Sequence, residues 1–315
     1  MPDSTRRDEM IRGLALGGRA RVVAADTHRT VEELWRIHAP SPPMTAALGR
    51  AATGALLLAA ALEKLTHREP TLTLEIDGGG PGGRILATAS PAGWVRATAA
   101  HPEADAPSRP DGKLNVGAVV GSAGALAVTR DQGAGQPYRG VVDLVSGEIG
   151  EDLARYLMDS EQTPSAVGVG VRLNGDATVG QAGGYVIQLL PGVPEDEAAA
   201  LSGRVRELGM VTDRLREGLG PDAWLARLFP EGYELLARQA VEFRCGCSAE
   251  RVERALKLLG EGEVTRLIEE KPDERSIELT CGFCHARYEV PRGELERLRG
   301  EIRAEARERG GQHGS

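Results

Sequence analysis

The chain has few aromatic residues and no excess of basic charge; the first feature limits the make-up of its core, and the second argues against one class of protein. Aromatics make up 3% of its 315 residues, against 41% hydrophobic residues in all, so the core must be mainly aliphatic. The net charge is −8 and the isoelectric point is about 5.5, whereas phosphate binding needs a concentrated basic surface. A general nucleic-acid binder is therefore disfavoured.

The sequence also lacks a long apolar run. Its most apolar stretch, residues 51–62, is about 12 residues long and is flanked by Arg50 and Glu63, too short for the roughly 20 residues that a spanning helix needs. The first 13 residues are polar and charged, without the apolar segment of a secretory signal. We therefore expect a buried helix at 51–62, no membrane partner and a cytoplasmic location.

The first 192 residues predict one mixed domain. Strand-like segments such as TLTLEID (71–77) and RILATAS (84–90) come in runs separated by glycine-rich turns. Helices are predicted over residues 44–65 and 150–162, set apart from these runs. This order is typical of an α+β fold rather than of a strict βαβ repeat. We predict an N-terminal mixed α/β core domain at 1–192.

Residues 193–240 differ in pattern and predict a helical linker. Apolar residues recur at helical spacing, and glycines at 203, 209, 218 and 220 interrupt them, each costing about 1 kcal/mol in a helix interior. One interpretation is an ordinary linker packed on a neighbouring surface. The other is a metastable segment that can open and expose its apolar stripe: Leu201, Val205, Leu208, Val211 and Leu215.

Cysteine is rare, and all four cysteines fall in residues 241–290. They form the pattern C-x-C, then 33 residues, then C-x-x-C: Cys245, Cys247, Cys281 and Cys284. In a reducing compartment such clustering is more typical of metal or redox function than of structural disulfides. Zn²⁺ prefers four tetrahedral ligands, and four thiolates leave no open position for a substrate. The spacing therefore favours a small domain with structural zinc, in which Ser248 caps a helix and a hairpin carries the second pair.

The stretch CGFCH (281–285) also matches a haem attachment pattern and a thiol redox pattern. Haem attachment normally accompanies export and would leave Cys245 and Cys247 unexplained. A thioredoxin-like site should open a helix, whereas this one sits in a predicted hairpin. Zinc and redox chemistry remain compatible, because thiolates are the species that oxidants attack. His285 is a weak candidate ligand.

Other patterns resemble chemical motifs without their structural context. Gly78, Gly80 and Gly83 satisfy G-x-G-x-x-G, yet a strand-like segment follows them instead of the helix that a dinucleotide site requires. We interpret this stretch as a turn between strands.

Long segments of the chain resemble the 33 kDa chaperonin family, also called heat-shock protein 33. The segments EFRCGCSAERVERALKLLG and ELTCGFCHARYEV resemble its zinc domain, and PYRGVVDLVSGEIGEDLARYLMDSEQTPSAVGVGV (137–171) and AGGYVIQLLPG (182–192) resemble its core. The resemblance extends to about residue 290. It departs in a slightly long spacer between the cysteine pairs and in a charged Arg/Glu tail at 291–315, for which no role is predicted after Arg292.

The resemblance implies a redox-regulated, ATP-independent chaperone that is not an enzyme. The reduced form would bind one zinc ion through Cys245, Cys247, Cys281 and Cys284 and be inactive. Oxidation would release zinc, form Cys245–Cys247 and Cys281–Cys284 disulfides and unfold the linker. The protein would then dimerise and hold unfolded client proteins, with the linker stripe as the expected contact.

Two alternatives remain open from the sequence. A thiol-disulfide oxidoreductase needs a thiol that is not committed to metal. A zinc-ribbon nucleic-acid binder would use Arg244, Arg251 and Arg254 beside the cysteines, against the acidic charge of the whole chain.

Overall fold

The computed structural model describes residues 7–63 and 65–311, and side chains as far as residue 305. The described chain forms two compact units that divide between Arg244 and Cys245. The strands of the first unit are β1 (Glu9–Ala15), β2 (Ala20–Asp26), β3 (Thr71–Asp77), β4 (Ile85–Ala89), β5 (Trp94–Ala99), β6 (Ala125–Asp131), β7 (Tyr138–Asp143), β8 (Ser165–Leu173), β9 (Val179–Leu189), β10 (Tyr233–Ala240) and β11 (Glu242–Phe243). Its helices are α1 (His28–His38), α2 (Pro42–Ala59), α3 (Val116–Val120), α4 (Gly150–Asp159), α5 (Glu195–Leu208), α6 (Val211–Arg216) and α7 (Pro221–Leu228).

These elements form layers, which confirms the predicted α+β fold. One sheet has the strand order β10-β1-β2-β9-β8, and the other has the order β11-β5-β4-β3-β6-β7. Helix α2 contacts strands of both sheets, and nearly all of its residues are buried. The side chain of Ser41 caps this helix by accepting a hydrogen bond from the Met44 amide. The predicted buried helix is therefore confirmed, although it ends at Ala59 rather than near residue 65.

The five-stranded sheet is covered on both faces. On β2, Val23 and Ala25 join the buried residues of α2 and β3–β6, which we call the inner cluster. The alternate residues Val22 and Ala24 face the opposite way, into an outer cluster. The buried members of this outer cluster are Ile11, Ala15, Leu16, Ala20, Val22, Ala24, Tyr185, Ile187, Leu201, Leu208, Val211, Leu215, Trp224, Leu225, Leu228 and Phe229.

The segment expected to be a helical linker is only partly helical. Helices α5, α6 and α7 cover 195–228, but residues 233–240 form strand β10, which pairs antiparallel with β1 from Ala240 opposite Glu9 to Tyr233 opposite Ala15. In YELLARQA the side chains alternate between more and less exposed only from Leu236 onwards, and Leu235 and Leu236 are both exposed, at 48% and 54%. The hydrogen-bonding edge of β1 supplies a partner that the local sequence does not reveal.

Two buried carboxylates tie loops to helix N-termini. Asp152, in the first turn of α4, is fully buried and accepts backbone N–H bonds from Val145 at 2.7 Å, Ser146 at 3.0 Å and Ile149 at 2.8 Å. A carboxylate at this end of a helix also complements the helix dipole. Its side chain therefore satisfies donors that the loop before α4 would otherwise leave buried and unpaired.

Asp8 plays a similar part at α1. Its carboxylate accepts from the Arg29 amide at 3.0 Å, the Thr30 amide at 2.7 Å and the Thr30 hydroxyl at 2.7 Å. Burial raises the pKa of Asp8 from 3.8 to about 6, although these hydrogen bonds oppose the rise. Its backbone oxygen accepts from Val241, just after β10.

The glycine motif at 78–83 is a packed turn, as the sequence suggested. A Cβ atom on Gly78 would lie 2.2 Å from the Gly121 carbonyl oxygen, so only glycine permits the two loops to approach. Strand β4 follows the turn. The glycines therefore allow the turn between β3 and β4 to pack against the backbone at the end of α3.

The second unit consists of α8 (Ala249–Leu259), α9 (Glu261–Glu270), β12 (Ser276–Thr280), β13 (Arg287–Pro291) and α10 (Arg292–Gly311). Strands β12 and β13 form the predicted hairpin. The unit has its own core, the small cluster, whose buried members are Leu256, Val264, Ile268, Ile277, Val290, Leu295 and Leu298.

The segment after Arg292, a charged tail with no predicted role in the sequence, contributes to this core. Helix α10 buries Leu295 and Leu298, which are 1% and 0% exposed, in the small cluster. Some of its charged residues pair with the other helices of the unit, as Arg297 does with Glu253 and Glu301 does with Lys257. The high Arg/Glu content hides two leucines three positions apart, which share one face of a helix.

No helix within the described residues is long and apolar enough to cross a membrane.

Candidate metal centre

The structure brings the four cysteines together. Cys245 and Cys247 begin the second unit, ahead of α8, and Cys281 and Cys284 lie in the turn between β12 and β13. All four sulfurs lie within 4.8 Å of one another. Among the described residues this metal-ligand cluster contains the four cysteines and not His285.

Local hydrogen bonds shape the turn that carries Cys281 and Cys284. The Cys281 amide donates to the Ala286 carbonyl at 2.9 Å, and the His285 amide donates to the Cys281 carbonyl at 2.9 Å. His285 adopts a left-handed conformation with φ of 57°, which closes the turn tightly. These bonds continue the β12–β13 pairing and point both sulfurs towards one place.

The other pair is held by the start of α8. The Ser248 hydroxyl oxygen accepts from the Arg251 amide at 3.3 Å, which confirms the predicted cap. Gly260, with φ of 87°, ends the helix as predicted. Cys245 and Cys247 therefore lie on a segment that is fixed at its helical end.

The spacing of the sulfurs fits a tetrahedral ion. Four bonds of about 2.3 Å place thiolate sulfurs about 3.8 Å apart. The Cys245 and Cys281 sulfurs are 3.7 Å apart, and those of Cys247 and Cys284 are 3.3 Å apart. The cluster can therefore hold a metal ion with little movement of its side chains.

The thiols of the hairpin have opposite tendencies to ionise. Burial opposes ionisation of Cys281, but backbone N–H groups of Cys284 and Phe283 donate to its sulfur and bring its pKa down to about 7. Burial and the neighbouring sulfurs raise the pKa of Cys284 to about 12. One thiolate therefore forms readily, while further negative charge at the same place requires a cation.

Tyr288 is a site residue that the sequence reasoning missed. Its hydroxyl donates to the Cys247 sulfur at 3.0 Å, and this bond, followed by burial, raises the pKa of Tyr288 to about 12. The hydroxyl therefore stays protonated at neutral pH. The available signal was its place on the predicted second strand of the hairpin, four residues after Cys284.

The residues of the predicted stripe are packed in the first unit. Leu201, Leu208, Val211 and Leu215 belong to the outer cluster, and Val205 packs against it. Three of the four predicted glycine interruptions are present, because Gly209 follows α5 and Gly218 and Gly220 separate α6 from α7. Gly203 instead lies within α5 and does not interrupt it. Helices this short are marginal in isolation. Their stability therefore depends on contact with the sheet.

Fold and site together define a class: an α+β protein whose second compact unit carries a four-cysteine site able to hold a metal ion. The comparisons with known proteins narrow this class. A family model described as Hsp33 protein matches residues 8–291. The chain belongs to the Hsp33 family.

Known relatives agree over nearly the full length. The 33 kDa chaperonin of Bacillus licheniformis is 39% identical over 295 residues, which cover 94% of this chain and 100% of that protein. The 33 kDa chaperonin of Symbiobacterium thermophilum is 44% identical, covering 89% of this chain and 93% of that protein. The crystal structure of the 33 kDa chaperonin from Thermotoga maritima has a TM-score of 0.81 at 30% identity, covering 94% of this chain and 98% of that one. The family expected from the sequence is confirmed, and it supports a redox-regulated chaperone.

Proposed function

We propose that this protein is an ATP-independent holdase that is inactive when reduced and active when oxidised. The observation that carries the proposal is the meeting of four cysteine sulfurs within 4.8 Å in a compact unit of their own. A closed cluster of this kind has no free position for a substrate. We therefore infer that the cluster acts as a switch rather than as the active site of an enzyme. We also propose that the protein acts in the cytoplasm, as expected from its sequence.

We infer that the reduced chain holds one zinc ion through Cys245, Cys247, Cys281 and Cys284. The ion would supply positive charge that keeps the sulfurs ionised, and in small domains such binding contributes directly to folding. The backbone N–H groups around Cys281 prepare the first thiolate. The Tyr288 hydroxyl donates a hydrogen bond to the Cys247 sulfur.

Oxidation is inferred to pair Cys245 with Cys247 and Cys281 with Cys284. The short sulfur contacts join the two motifs, from Cys245 to Cys281 and from Cys247 to Cys284, but all four sulfurs lie within one cluster. Distance alone therefore does not select a pairing, and the proposal follows the family. Peptide mapping of the oxidised chain distinguishes the two pairings.

We further propose that clients bind the stripe of Leu201, Val205, Leu208, Val211 and Leu215. Leu201 and Leu215 are only 4% and 1% exposed, so the stripe is covered in this conformation. Release of α5–α7 would uncover a continuous apolar surface, of the sort that binds unfolded chains or a second copy of the protein. A homodimer of the oxidised form belongs to the same proposal.

The decisive experiment counts zinc and free thiols before and after peroxide, beside far-UV circular dichroism and the light scattering of a heat-unfolding client protein. We expect one zinc ion and four thiols to be lost together with helix content, and client aggregation to slow only afterwards. The control is the same chain, kept reduced. The proposal fails if the oxidised, metal-free chain leaves aggregation unchanged, and turnover in an insulin-reduction assay would favour an oxidoreductase instead.

A further inference from the structure

The cysteine sulfurs receive hydrogen bonds from different kinds of donor. The backbone N–H groups of Phe283 and Cys284 donate to the Cys281 sulfur, and the backbone N–H of Ala286 donates to the Cys284 sulfur. Cys247 receives its bond from a side chain, the Tyr288 hydroxyl at 3.0 Å. A backbone donor persists through most substitutions, whereas this side-chain donor can be removed by one.

Strand pairing fixes the position of the Tyr288 donor. Tyr288 lies on β13 directly opposite Leu279 of β12, and its side chain is half-buried. Pairing on the strand sets the direction in which this side chain leaves the backbone. The hairpin register therefore helps to place the Tyr288 hydroxyl within 3.0 Å of the Cys247 sulfur.

Hydrogen bonds of this kind change the chemistry of sulfur. A thiolate attacks peroxide by forming an S–O bond while the O–O bond breaks and hydroxide leaves; a second thiolate then displaces hydroxide from the sulfenic acid to form the disulfide. Two thiolates thus give two electrons to one peroxide. In the first step negative charge leaves the attacking sulfur. A hydrogen bond that stabilises this charge in the thiolate is therefore weaker in the transition state, and it slows the reaction.

We propose that Tyr288 restrains Cys247 by its hydrogen bond and so sets the rate at which peroxide oxidises this sulfur. This inference rests on the proposed switch and adds a residue that adjusts its sensitivity. Loss of the hydroxyl should make Cys247 react about 3- to 10-fold faster, since a charge-assisted hydrogen bond lost on the way to the transition state has an effect of this order.

The test uses the full-length, reduced, zinc-loaded chain with Tyr288→Phe, which removes one oxygen and keeps the ring. Limiting peroxide, alkylation of the remaining thiols and peptide mass spectrometry give an oxidation rate for each cysteine. We expect a selective rise at Cys247, with the rate at Cys281 changing less than about twofold. The matched control is Tyr138→Phe, which makes the same change on a tyrosine of the first unit that is 53% exposed.

A merely structural role for Tyr288 would change all four rates together. Equal changes at every cysteine, or no change at Cys247, would overturn the proposal, and loss of thiols in the wild type would still stand as support for the switch. If Tyr288→Phe fails to fold by circular dichroism, 3-fluorotyrosine at position 288 gives the second arm. It is a stronger donor in the same place and should slow Cys247 selectively; unchanged or faster oxidation would contradict the proposal.

Discussion

Leu215→Ala should loosen the helical segment α5–α7 without unfolding the sheet beneath it. Leu215 lies on the six-residue helix α6, is 1% exposed and packs in the outer cluster with Trp224. Truncating a buried leucine costs about 2–5 kcal/mol. We expect about 3 kcal/mol, because a short helix followed by Gly218 can partly close the cavity. If the whole of this loss weakens the packing of α5–α7 on the sheet, the population in which the segment is open rises about 100-fold.

Hydrogen exchange read by mass spectrometry measures this opening directly. Peptides from residues 195–228 should exchange faster in Leu215→Ala, while those from β3–β6 should keep their protection. The matched control is Leu74→Ala, a fully buried leucine of the inner cluster, which should weaken the sheets instead. Equal acceleration across both regions, or unchanged exchange in 195–228, would refute the idea of a separately docked segment.

Three further predictions concern stability, measured by urea unfolding. Leu298→Ala, at a fully buried site of the small cluster, should lower the free energy of unfolding of the second unit by about 3 kcal/mol. The control Leu258→Ala, at a residue 88% exposed, should change that free energy by less than about 0.5 kcal/mol. Equal effects of the two variants would mean that α10 is not part of that core. Asp8 has a folded-state pKa of about 6 against 3.8 unfolded, so its contribution is fully present below pH 3.8 and is lost as the pH rises through 6. Asp8→Asn should therefore gain about 3 kcal/mol relative to the wild type between pH 4 and pH 7, and a pH-independent difference would contradict this. Asp152→Ala should cost about 3 kcal/mol, because it leaves buried backbone donors without an acceptor; a cost no larger than that of Asp159→Ala, at an exposed residue of the same helix, would count against the proposed role of Asp152.

The sequence predicted the parts of the fold that short-range patterns determine. The hairpin around Cys281 and Cys284, the Ser248 cap and the buried helix α2 each follow from turn chemistry, capping or apolar content within a short window. The meeting of the two cysteine pairs was also predictable, because four clustered thiols in a reducing compartment favour a shared ion.

Features that depend on distant partners were not predictable in the same way. Strand β10 forms because β1, more than 200 positions earlier, offers its edge, and its sequence alone did not distinguish it from more helix. Leu295 and Leu298 stand among charged residues in the sequence, and their burial depends on partners in the other elements of the small cluster. The bond from Tyr288 to Cys247 joins residues 41 positions apart, and the sequence indicates only that Tyr288 follows the second cysteine pair on a predicted strand.

The two strands that flank α5–α7 would determine how this segment packs back onto the sheet after its proposed release. Strand β9 ends at Leu189 and β10 begins at Tyr233, and both belong to the same five-stranded sheet. If α5–α7 are released as proposed, the chain between these strands becomes a closed loop of about 40 residues instead of a free end. The entropy cost of closing such a loop grows only as about (3/2)RT ln n, and it does not arise again on redocking as long as both strands stay paired. Redocking would then be a local search by a tethered chain, at a rate that does not depend on protein concentration.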